Sequence, residues 1–109
     1  MRVLIRADGT TQEFGDPQPM EYLHKLLGAE TFDVVNLRHL GPPLQVMLVD
    51  DHGYSTEVVE TPSAIEIRPI RALKPFNEEA TRLYLLNCRP GTTHKIVGDV
   101  YVCPDDDFT

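Results

Sequence analysis

The chain has 109 residues, 41% of them apolar, with two cysteines and 17 acidic against 10 basic side chains, a net charge of −7. That length and apolar share predict one domain, residues 1–109, with a single core, and exclude a disordered chain. No apolar run approaches the ~20 residues of a membrane span, and so acidic a surface repels phosphate backbones, so neither a membrane nor direct nucleic-acid binding is expected.

The first segment, "RVLIR" from Arg2 to Arg6, carries charge too early for a signal peptide and reads as a strand. With "TQEF" after "ADGT" it predicts a β-hairpin, Asp8-Gly9 supplying the positive-φ turn. "DPQPMEYLHKLLG" predicts an amphipathic helix: Asp16 as cap, Pro17 at the first position, Met20, Leu23 and Leu27 on one face, Gly28 just past the end. Thr31 to Arg38 is rich in β-branched residues and reads as a strand, which Pro42 and Pro43 cannot continue. Leu44 to Asp50, apolar on both faces, predicts a central strand, and "DDHG" (Asp50 to Gly53) a turn that Asp51 caps.

From Tyr54 to Leu73 the pattern is weaker. Ile65 and Ile67 alternate, but Pro62, Pro69 and Pro75 restrict any strand to short or edge pieces. "NEEATRLYLLN" predicts the second helix, capped by Asn77, with Glu78 and Glu79 at the positive end of its dipole. "IVGDVYV", Ile96 to Val102, alternates as a last strand, and 104–109 reads as a frayed tail. The order β-β-α-β-β-(β)-α-β predicts an α+β domain: a small, mostly antiparallel sheet of five to six strands with two helices on one face. Its exposed edges leave open a homodimer formed by sheet pairing.

The most chemical stretch is "NCRPGTTHK", Asn87 to Lys95. Cys88 and His94 flank one turn and could act as nucleophile and base if within hydrogen-bond reach. A thiol-phosphatase loop fits poorly: Cys88 ends a helix, whose negative pole raises a thiol pKa, and His94 stands where an Arg should hold phosphate. The plainer reading makes Cys88 a small hydrophobe, Pro90-Gly91 a helix stop and Thr92-Thr93 the start of a strand. Arg89, Thr92, Thr93 and Lys95 could instead contact a phosphate, and Asn77 could touch a neighbouring loop besides capping its helix. Asp50, Asp51 and His52 offer metal-ligand chemistry, but consecutive residues on an extended backbone rarely converge on one ion. Cys88 and Cys103 lack CxxC or zinc spacing, and in a chain with no export signal they point to a reducing cytoplasm. A bridge between them is not favoured. No nucleotide-binding or hydrolase signature is present, and no cofactor is expected.

The opening hairpin with Asp8-Gly9, "EYLHKLLGAETFDVVNL", the acidic turn "DDHG", the Asn-x-x-Ala of Asn77 and Ala80, and the closing Ile-x-Gly-x-Val-x-Val of Ile96 to Val102 recur in order from end to end. In these the chain resembles a family of small, functionally uncharacterised proteins of bacteria, plasmids and phages. Many relatives look richer in Asn and Glu where this chain has Asp50, Asp51 and His52. The resemblance implies an accessory role tied to mobile elements and carries over no catalytic residue. The expectation is a cytoplasmic, non-enzymatic protein that binds a macromolecular partner, in one form inhibiting a host defence or nucleic-acid enzyme through an acidic, nucleic-acid-like surface. The rivals are a nucleotide-like ligand binder and a cysteine-dependent enzyme using Cys88 and His94.

Overall fold

A computed structural model describes residues 1–108, with 55–59 and 67–70 described as backbone only. The domain is α+β. Its main sheet has five antiparallel strands: β1 (Val3–Ile5), β2 (Thr11–Glu13), β3 (Phe32–Leu37), β4 (Gln45–Asp50) and the last strand, β7 (Val100–Pro104). They lie in the order β2-β1-β7-β4-β3. The two remaining strands, β5 (Tyr54–Glu60) and β6 (Ile65–Ala72), pair only with each other as a separate two-stranded arm. The helices are α1 (Met20–Leu27) and α2 (Glu78–Leu85).

The β1–β2 turn forms as its sequence dictates. Gly9 takes φ 92°, and Asp8 Oδ1 accepts from the Thr10 amide (2.9 Å) and hydroxyl (2.7 Å). Those two donors hold the Asp8 carboxyl below its usual range. Helix α1 starts at Met20, later than expected, after Pro19, and Asp16 does not cap it; Met20 is itself exposed. Its end is as expected. Gly28 takes a left-handed conformation, and the amides of Gly28 and Ala29 bond back to Lys25 O and His24 O, a Schellman-type stop.

The two helices do not share a face. Leu23 and Leu27 of α1 pack with Leu4, Val46, Leu48, Tyr101 and Cys103 on one side of the sheet. Ala80 and Leu83 of α2 pack with Ile5, Met47, Val49, Val100 and Val102 on the other. Strands β1, β4 and β7 thus send successive apolar side chains to opposite faces, and each face needs its own cover. The expectation of both helices on one side is corrected accordingly.

Three further expectations change. The Tyr54–Leu73 region is a continuous hairpin of seven- and eight-residue strands, not short pieces. Its prolines fall where pairing permits them. Pro62 lies in the connecting turn; Pro69 pairs with Thr56 beside a bulge that skips Ile70. Ile65 is 70% exposed; the side chain of Ile67, its alternation partner, lies outside the described residues. At the other end, the closing strand begins at Val100, because Gly98 at φ 77° turns the chain, and continues through Cys103, which is wholly buried. Residues 105–108 form a 3-10 turn held by Asp105 N–H to Leu44 O (2.9 Å) and by a bidentate Arg2–Asp107 pair (2.8 and 2.9 Å). The segment expected to fray is docked up to Phe108; Thr109 lies outside the described residues.

Candidate functional site

Asn77 is the most connected of the candidate residues, and its role is internal. It is 1% exposed, and its Oδ1 accepts from the Ala80 amide (3.0 Å), the expected cap. Its Nδ2 donates to Ile5 O (3.0 Å) and Gly98 O (2.9 Å). One amide therefore joins α2, the end of β1 and the Gly98 turn, and it is closed to any ligand. Thr81 completes the junction: its hydroxyl donates to Asn77 O (2.7 Å) and accepts from the Ile96 amide (2.9 Å).

The Asp50–His52 turn is likewise spent on structure. Asp50, not Asp51, caps it, Oδ1 accepting from the His52 amide at 2.9 Å. The other Asp50 oxygen pairs with Lys74 Nζ at 2.6 Å, although the aspartate side chain is only 6% exposed. Asp51 turns away to accept from the Thr31 hydroxyl, with His52 Nε2 at 3.4 Å. Among the described residues no group of three metal-ligating side chains converges. Lys74, which the sequence reading missed, also donates to Leu27 O (3.2 Å) and Gly28 O (3.0 Å). It thereby satisfies carbonyls at the end of α1 while its stem fills the space above Gly98. Flanked by Leu73 and Pro75, it carries no local signal for this role.

Cys88 and His94 are not assembled as nucleophile and base. The Cys88 thiol donates to Tyr84 O (3.2 Å), its i−4 carbonyl, and no hydrogen bond links it to His94 among the described residues. His94 instead lies beside two phenol rings, with centroids 5.5 Å away at Tyr54 and 5.8 Å away at Tyr84. The contact of Cys88 with Tyr84, then burial, raises the Tyr84 phenol above its usual pKa, and burial raises that of Tyr54. Both stay neutral at physiological pH. The Tyr54 hydroxyl donates to Lys95 O (2.6 Å), fixing the loop to the base of the arm.

The remaining binding candidates are scattered. Thr92 hydroxyl bonds to Arg89 O (2.8 Å) within its own turn, Lys95 Nζ sits 5.0 Å from the Phe76 ring centroid, and Arg89 and Thr93 are simply exposed. No anion cradle gathers Arg89, Thr92, Thr93, Lys95 and the buried Asn77. Both cysteines are free thiols, Cys103 inside the sheet and Cys88 in the turn that follows α2.

Two open grooves adjoin β3, the outermost strand beyond β4. On its α1 face lies an open groove of about 590 Å³ lined by Met20, His24, Phe32, Val34 and Phe108, with Glu30 and Asp105 at its rim. The His24 ring stacks on Phe32 at 4.6 Å and forms part of the groove wall. On the α2 face a second groove, about 560 Å³, runs beside Val35, Asn36, Arg38, His39, Tyr84 and Cys88. No protein-family model, curated protein or solved structure matches this chain. No helix among the described residues is long and apolar enough to cross a membrane.

Proposed function

We propose that this chain is a non-enzymatic accessory protein that acts by binding a macromolecular partner, as its resemblance to small bacterial, plasmid and phage proteins suggests. Its main support is the β5–β6 arm. An isolated two-stranded ribbon is marginally stable in water and gains most from a third element laid against it. Here the ribbon joins the body at its base, where the Leu73 amide bonds to Gly53 O (2.8 Å), and forms a sheet of its own. A net charge of −7 favours a basic partner surface, including the nucleic-acid-binding face of a host enzyme. Asn77, Asp50 and Asp51 are engaged in structural bonds, and no hydrogen bond joins Cys88 to His94 among the described residues, which supports binding over catalysis.

The test is affinity capture from bacterial lysate by the intact chain and by a variant in which residues 58–67 are replaced with Asn-Gly, leaving Glu57 paired with Arg68. A partner held by the intact chain and lost by the shortened arm is the expected result. No partner retained at physiological salt, or one retained equally by both, overturns the reading.

A further inference from the structure

The β3 edge lacks most of the devices that usually keep a strand from pairing, its one charged side chain being Asp33. It is six residues long, runs Phe-Asp-Val-Val-Asn-Leu, and holds neither proline nor lysine. The opposite edge, β2, is three residues long with every side chain exposed and polar. The Asp51 amide donates to Thr31 O (3.5 Å), and antiparallel pairs alternate. Thr31, Asp33, Val35 and Leu37 therefore turn their amides in to β4, while Phe32, Val34 and Asn36 present theirs outward. Val34 is 58% exposed at the centre of this row.

Charge along the strand is polarised. Glu30 and Asp33 stand at its start; Arg38 and His39 follow its end. All four are exposed, and neither Asp33 nor Arg38 has an ion-pair partner among the described residues. A strand with an acidic head, an apolar middle and a basic end is complementary to its own antiparallel copy. Two-fold symmetry brings the head of each β3 to the tail of the other, as an isologous interface requires. Asp33 and Arg38 both border cavities on the α2 side of the sheet, so the two meet on one face. On the α1 face, Val34 and Phe32 of each chain gain cover beside the groove.

We propose that two copies of this chain associate through β3, antiparallel edge to edge, forming one continuous ten-stranded sheet. Grooves on both faces leave room for the incoming side chains. A stable contact needs roughly 800 Å² from each partner, about a ninth of the 7113 Å² surface. Repulsion between two chains of −7 opposes association, so outward amides, apolar cover and Asp33–Arg38 pairs must together exceed it.

Sedimentation of the full chain across a concentration series provides the test. Wild type is expected to show a monomer–dimer equilibrium. Val34→Lys and Asn36→Pro, which removes only an outward N–H, are each expected to weaken it by roughly tenfold or more, as loss of a central contact does. Asp33→Arg is expected to weaken it even though the change lowers the net negative charge, and Asp33→Arg with Arg38→Asp to restore it. Thermal melts identify any variant that fails to fold; the charge-reversal set then decides. A wild type that stays monomeric throughout, a dimer indifferent to both Val34→Lys and Asn36→Pro, or a double reversal that fails to recover overturns the proposal. Because lysate capture scores the arm and sedimentation scores β3, either can fail alone.

Discussion

Asn77→Asp separates two accounts of one residue. Asn and Asp cap helices about equally well, so a residue that only capped α2 would tolerate the exchange. In this fold the carboxylate would keep its bond from the Ala80 amide, but both donors to Ile5 O and Gly98 O would disappear inside the domain. A buried acceptor stripped of its donor costs about 1–3 kcal/mol, and here a negative charge would also face two carbonyl oxygens. The expected loss is about 2 kcal/mol or more, a large share of the ~5–15 kcal/mol that holds a small domain together. Asn77→Ala loses the cap as well, about 1 kcal/mol further, without the added charge. Urea unfolding followed by far-UV circular dichroism reads the difference as a shift in midpoint at constant slope. An aspartate variant within about 0.5 kcal/mol of wild type would refute the cross-brace and leave only the cap.

Tyr101 is 1% exposed, its hydroxyl has no hydrogen-bond partner among the described residues, and burial lifts its phenol to about 12. Tyr101→Phe should therefore leave stability at neutral pH equal or about 1 kcal/mol higher, measured by the same urea titration. Both Tyr101 and Cys103 have raised pKa values, the thiol also reaching about 12 through burial. The folded state favours their neutral forms, so their contribution is complete below the unfolded values of 9.0 for the thiol and 10.0 for the phenol. It is lost as pH rises through about 12. Melting temperature should fall across that window, with a shallower slope above pH 10 in Tyr101→Phe. Gly98→Ala should destabilise by about 1–2 kcal/mol or more, since a side chain is strained at φ 77° and its Cβ would come within 2.9 Å of Lys74 Cδ. A thiol reagent should label Cys88 alone in the native protein and Cys103 only after denaturation; equal labelling would contradict the packing of β7.

What was legible in the sequence was local. Asp8-Gly9, Gly28 and Asn77 fix their turns and helix ends through bonds to residues a few positions away, so their residue types suffice. The opposed helices follow from a pattern also visible in the chain: Val46 to Val49 and Val100 to Cys103 are apolar at every position, which demands cover on both faces. That consequence concerns the whole sheet, and local periodicity does not supply it. The arm was obscured because proline marks a strand as unfavourable without revealing that a turn or bulge can absorb it, as at Pro62 and Pro69. The candidate site was least legible. Cys88 and His94 are near in sequence, but their orientation depends on Tyr54 and Tyr84, which arrive from the arm and from α2. Lys74 and Asp50 find each other across 24 positions with no motif between them.

The placement of β7 between β1 and β4 bears on how the molecule is made. A ribosome delivers the β1–β2 and β3–β4 hairpins first, yet no strand pairing joins them until the strand after α2 emerges and slides between. Until then both half-sheets expose bare ribs to solvent. Assembly of the sheet waits on the latest wedge, and a nascent chain stalled before Val100 carries two unpaired half-sheets that a chaperone or protease would meet first.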